Sequence, residues 1–182
     1  MGDHENDLSR RDAIRLAAAA TVAASLGVDD AAAQVRIGGF LTEAEFTLLD
    51  ELSEMIIPAD AHSPGARAAK VAAFIDARLA EAWEQKDRTE WRSGLALVDR
   101  LSQEAHQLPF MKASPEQRLA VLTRMAQNES TPQKPEEKFF KELKSRVVYA
   151  YYTSEIGIKQ EMEYKGNTYQ NDFAGIDVSQ QP

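Results

Sequence analysis

Most of the chain repeats apolar residues every three or four positions, and helix starts and stops punctuate the repeats. In "FLTEAEFTLLDELSEMIIP" Phe46, Leu49, Leu52, Met55 and Ile56 fall on one face at the helical period. Thr42 with Glu45 three residues on reads as a capping box, and Pro58 ends the run. Val71, Phe74, Ile75, Leu79 and Trp83 draw a second stripe, in a helix expected to run to about residues 83–86. Trp91, Leu95, Val98 and Leu101 draw a third within residues 90–105, where Gly94 costs roughly 1 kcal/mol relative to alanine. Ser114-Pro115-Glu116-Gln117 supplies a cap, a proline at the first helical position and a glutamine at the third, ahead of Leu119, Leu122 and Met125. Pro135 opens a fifth run in which Phe139, Leu143, Val147 and Tyr151 face inward, with Phe140 and Val148 beside them. Segments rich in Pro, Gly and Asp or Asn, "ADAHSPGA" and "NESTPQKPEE", separate these runs as loops. The expectation is an all-α protein: a compact bundle of about five helices with these stripes as its core. No repeat of 20–50 residues suggests a solenoid.

At 182 residues there is room for one such core. Apolar residues make up 43% and charged residues 27%, an ordinary balance for a folded chain. The net charge of -8 gives no electrostatic reason to approach nucleic acid or an anionic membrane. The absence of cysteine removes disulfides, thiolate metal sites, iron–sulfur clusters, covalently attached haem and a thiol nucleophile.

The first 33 residues follow a different logic. A polar segment ends in "SRRDAIR", residues 16–28 are apolar and alanine-rich, and Ala31-Ala32-Ala33 precede Gln34. These are the parts of a secretory signal, with Arg10 and Arg11 as its basic pair and Ala31 and Ala33 at an A-x-A cleavage site. The pair favours the twin-arginine route; Ile14 and Arg15 fit that pattern, and Ala13 stands where a bulky apolar residue is usual. The apolar stretch of about 13 residues falls short of the roughly 20 that a span requires, so no permanent membrane anchor is expected. Cleavage after Ala33 takes 29 acids and 21 bases to 23 and 18, a net charge of -5. The expected location is periplasmic.

Twin-arginine export is associated with cargo that folds around a cofactor before transport, yet this chain shows no motif for one. Neither a dinucleotide-binding nor a phosphate-cradling glycine pattern occurs, and no nucleophile elbow is present. His4 leaves with the leader, while His62 and His106 lie far apart. His62 with Asp60 in "PADAHSPGA" admits two readings, an acid–base pair or a turn built by Asp60. Glu81 with Glu84, and Asp50 with Glu54, share helix faces that read as solvated. No catalytic, cofactor-binding or metal-ligating residue is assigned to this chain.

From Thr153 the helical pattern breaks. "TSEIGIKQEMEYKGNTYQNDFAGIDVSQQP" scatters aromatic and aliphatic residues among glycines, too apolar for water and too irregular for a core of its own. The chain thus divides into a leader (1–33), a helical domain (34–152) and an extended tail (153–182). The tail needs a surface, either the helical domain itself or a partner.

At this point the sequence resembles the gluconate 2-dehydrogenase subunit 3 family. The resemblance is carried by the twin-arginine leader, by "FLTEAEFTLLDELSEMIIPAD" followed by "PGA" and "VAAFID", and by "YYTSEIGIKQEMEYKGNTYQNDFAGID". It is tight at both ends of the mature chain and loose over residues 84–134. The family tail often closes on Gly-Cys near Gly175-Ile176, where this chain has no thiol. The resemblance implies a small non-catalytic subunit that binds, helps mature and co-exports a large flavoprotein dehydrogenase of the glucose-methanol-choline type, acting on a sugar or polyol. FAD would sit in that partner, haem c in an electron-accepting cytochrome, and the tail would dock through Tyr164, Gly166, Asn167, Tyr169 and Phe173. Two other readings stay open: a freestanding periplasmic helical binding protein, and an enzyme using His62 with Asp60.

Overall fold

The structure, a computed structural model, describes residues 39–166. Among them are five helices of eleven residues or more and no strand. The first, α1 (Glu43–Ile56), starts at the expected capping box: the Glu45 amide donates to Thr42 Oγ1 (3.2 Å), and Glu45 Oε2 accepts from the Thr42 amide (2.8 Å). It stops two residues before Pro58, whose ring and missing N–H cannot continue a helix. The loop that follows carries a single turn, α2 (Gly65–Ala68), entered through Gly65 at φ +83°, backbone that disfavours any side chain. Next come α3 (Val71–Glu81), α4 (Gln85–His106), α5 (Pro115–Met125) and α6 (Pro135–Tyr152). Ser114 caps α5 reciprocally with Gln117, and prolines open both α5 and α6.

The helices close around one core. α1 packs on α2 and α3, α3 on α6, and α4 on both α5 and α6. Leu49, Leu52, Val71, Val98, Met125, Leu143, Val147 and Tyr151 are buried completely. Each large apolar side chain so placed contributes about 1.5–3 kcal/mol relative to exposure. Phe46, Met55 and Ile56 pack against this core from its edge.

Three residues counted in the stripes are not core. Trp83 is fully exposed (101%), Leu119 is 58% exposed and Phe74 41%. The cause at Trp83 is the end of α3 at Glu81, short of the expected 83–86. Arg88 of α4 reaches back and donates to the carbonyls of Leu79 (3.1 Å), Ala80 (2.9 Å) and Ala82 (2.7 Å). With those last acceptors taken, the chain turns and Trp83 leaves the face that Leu79 buries.

Gly94 also has a reason beyond tolerance. A Cβ at this position would overlap the Phe139 ring, so its absence lets α6 seat that ring directly on α4. There Phe139 meets Trp91 edge-on, with centroids 5.7 Å apart and planes at 80°.

Helical structure runs past Thr153, the expected start of extended backbone. Glu155 and Ile156 are helical and Gly157–Glu161 make a π-helical turn, with Ile156 packed against the core. Among the described residues the last helical turn ends at Glu161, with Met162 as its C-cap.

Candidate functional site

The acidic segments singled out in the sequence are built into local architecture. Asp60 Oδ1 accepts from the main-chain amides of His62 (2.8 Å) and Ser63 (2.7 Å), which makes a turn rather than an acid–base pair with the imidazole. Those two amides hold the Asp60 carboxyl below its ordinary range. The Ser63 hydroxyl continues inward to the Tyr151 hydroxyl (2.7 Å) and accepts from the Gly65 amide (3.2 Å), so the loop is latched to α6 through a buried hydrogen bond.

The acidic face of α1, expected to be solvated, is instead a second latch. Arg67 donates to Asp50 (2.6 Å) and Glu51 (3.0 Å), and its amide donates to Glu54 (2.8 Å). The Asp50 hydrogen bond first, with its charge, raises the Arg67 guanidinium further above its ordinary value. Glu54 also accepts from the Ala59 amide (3.1 Å), and Arg118 of α5 reaches Glu51 at 2.7 Å. Glu81 pairs with Arg78 on the surface (2.8 Å), and Glu84 is exposed. Asp50, Glu51 and Glu54 thus hold the loop and α5 to α1.

Two buried acids that the sequence did not single out do similar work. Asp76 Oδ1 accepts from the amides of Phe40 and Leu41, both at 2.8 Å, and pins the start of the described chain to α3. The Phe40 ring lies under Arg92 (4.3 Å to its centroid), whose guanidinium also donates to the Phe40 carbonyl (2.9 Å). Glu137 accepts from the amides of Lys134 (3.0 Å) and Gln133 (2.8 Å) and from the Asn128 side chain (2.7 Å). Those bonds, the Lys134 amide first, pull its pKa from 4.5 to about 2. No cluster of three metal-ligating side chains occurs among the described residues, and no described helix is long and apolar enough to cross a membrane.

What remains is surface. Phe74 on α3 and Tyr149 on α6 touch with ring centroids 6.3 Å apart, and both are substantially exposed. Tyr152, one turn further along α6, is 39% exposed and stands edge-on to Tyr151. Phe74 and Tyr149 border an open hollow of about 530 Å³, with Arg78 and Arg146 at its rim and Ala82, the neighbour of Trp83, in its wall. A second hollow of about 610 Å³, floored by Trp91, Gly94 and Phe139, adjoins it and shares Asp87, Trp91 and Arg146. Exposed rings beside open grooves are features that interaction surfaces share. The stripe pattern hid the exposure of Trp83, because a residue on an apolar stripe and one just past its helix end look alike in sequence.

Of the tail residues expected at an interface, Tyr164 is 58% exposed and Gly166 is exposed, while Asn167, Tyr169 and Phe173 lie outside the described residues. So do the leader residues Arg10, Arg11, Ala31 and Ala33.

No curated protein and no solved structure matches the chain. The model of one family, described as gluconate 2-dehydrogenase subunit 3, matches residues 43–181, from the first residue of α1 through the helical bundle and nearly all of the tail. This chain therefore belongs to the gluconate 2-dehydrogenase subunit 3 family, whose name is that of an accessory subunit of a dehydrogenase complex.

Proposed function

We propose that this chain is the non-catalytic small subunit of a flavin-dependent sugar or polyol dehydrogenase, which it binds, helps mature and carries out of the cytoplasm. The observation that carries the reading is the family match across residues 43–181, which takes in bundle and tail as one unit. The leader, with Arg10 and Arg11, addresses the pair to the periplasm by the twin-arginine route. The FAD belongs to the large partner of the glucose-methanol-choline type, and a cytochrome c bearing haem accepts the electrons. The tail, with Tyr164, Gly166, Asn167, Tyr169 and Phe173, lies along that partner. Exposed rings on α3 and α6 support such contact.

The test is a pull-down of the tagged full-length chain from the periplasm of its native host, read by mass and by visible spectrum. A large polypeptide with flavin absorbance is the expected result, and a colourless solitary chain refutes the proposal in favour of a freestanding binding protein. With Arg10→Lys and Arg11→Lys together, chain and flavoprotein should both stay in the cytoplasm. The tail is tested by ending the chain at Gly166, which spares Ile156 and its core contacts. Full recovery of the flavoprotein by that shortened chain would show that the tail does not hold it.

A further inference from the structure

Trp83 has no contact that explains an indole in full solvent. Burying such a ring removes 150–250 Å² from water, so its complete exposure forgoes one of the larger apolar gains available to any side chain. Nor does the ring hang on a loose loop. Arg88 holds the three carbonyls just before it, at Leu79, Ala80 and Ala82, while α4 starts two residues after it at Gln85. The corner from α3 to α4 is thus fixed from inside, and the indole is presented outward at little further entropic cost of ordering its backbone.

The surroundings specify the complement. Around the corner, Glu81, Glu84, Asp87 and Glu90 stand against Arg78 and Lys86, and the Arg88 charge is turned inward onto the carbonyls. Arg78 and Lys86 are already paired, with Glu81 (2.8 Å) and Glu90 (3.7 Å). Those pairs leave Glu84 and Asp87 over, so Trp83 stands in a locally acidic stretch, next in the chain to Ala82, which lines the hollow along with Phe74, Tyr149, Arg78 and Arg146. Tryptophan is the residue most enriched among those that dominate binding energy, and it acts when seated in an apolar pocket that excludes water.

We infer that Trp83 is the principal anchor of this chain on the large dehydrogenase subunit, entering an apolar pocket there that is rimmed by basic side chains. The inference rests on the reading of the chain as a dehydrogenase subunit and adds to it a contact in the helical domain, separate from the tail. The acidic corner steers the approach, so association slows as salt is raised.

The test uses the complex purified through the tagged full-length chain, with Trp83→Ala, Trp83→Phe and the unaltered chain compared. Trp83→Ala should leave the thermal midpoint of the free chain unchanged, because the ring touches nothing in the fold, and should weaken association by about thirtyfold or more, the scale of 2 kcal/mol for a dominant contact. Trp83→Phe should recover part of that loss. An unchanged dissociation constant for Trp83→Ala overturns the inference while leaving the subunit reading intact. Failure of the unaltered chain to bring down any flavoprotein overturns both. Sedimentation of the free chain covers a second copy as occupant: a dimer that Trp83→Ala abolishes, with the flavoprotein still bound, assigns the ring to self-association and overturns the inference.

Discussion

Replacing Gly94 by alanine sets two physical effects against each other. In an exposed helix interior the change stabilises by about 1 kcal/mol, because glycine carries the larger backbone entropy loss. At this position the new methyl would overlap Cδ2, Cε2 and Cγ of Phe139, which is itself locked edge-on against Trp91. Overpacking a filled core costs about 1–3 kcal/mol, and displacing the ring forfeits some of the roughly 0.5–1.5 kcal/mol of the aromatic pair. Packing wins, and the expected net effect is a destabilisation of about 2 kcal/mol. In a chain of this size that lowers the thermal midpoint by roughly 4–8 °C. Thermal and urea unfolding of the full-length chain measure it, followed by circular dichroism. A second cycle, Gly94→Ala in a Phe139→Leu background, should show a much smaller penalty, since the clashing ring is gone. If Gly94→Ala proves as stable as the parent or more so, the close seating of α6 on α4 through this glycine is wrong.

Two further predictions concern the latches. Removing the Tyr151 hydroxyl with Tyr151→Phe should cost about 1–2 kcal/mol, and a double-mutant cycle with Ser63→Ala should show clear coupling; additivity would mean that the buried hydrogen bond contributes nothing. Glu137 gives a pH dependence of defined sign. Its folded pKa of about 2 lies below its ordinary 4.5, so its contribution is complete above about pH 4.5 and is lost as pH falls from there towards 2. Glu137→Gln should flatten that part of the acid-unfolding curve, and an unchanged slope between pH 4.5 and 2 would contradict the bonds drawn to the Gln133 and Lys134 amides.

Much of the bundle was legible because its signals are local. Thr42 with Glu45 and Ser114 with Gln117 close capping boxes within four residues of chain, and Pro58, Pro115 and Pro135 act through their own rings. Leu49, Leu52, Leu95, Val98, Leu143 and Val147 are buried because a stripe at the helical period has one face to hide. The latches were less legible. Asp76 meets amides 35 and 36 residues away, and Ser63 meets Tyr151 across 88 residues. Such partners leave no spacing to read, so Asp50 and Glu54 read as solvated in sequence although both bond to Arg67.

The sequence by itself determined the helical class, the caps and most of the buried positions, since these depend on periodicity and on bonds within one turn. It also carried the family, whose pattern runs from α1 into the tail. Only the tertiary structure decided which apolar residues stay outside. Trp83 follows Leu79 at helical spacing and differs in fate because Arg88, five residues later, takes the carbonyls that would have carried α3 another turn. Gly94 likewise reads as a weak point of a helix in sequence and becomes a seat for Phe139 only once α6 is laid against it. In both cases the deciding group comes from another helix, and what it meets is fixed only when the two are packed.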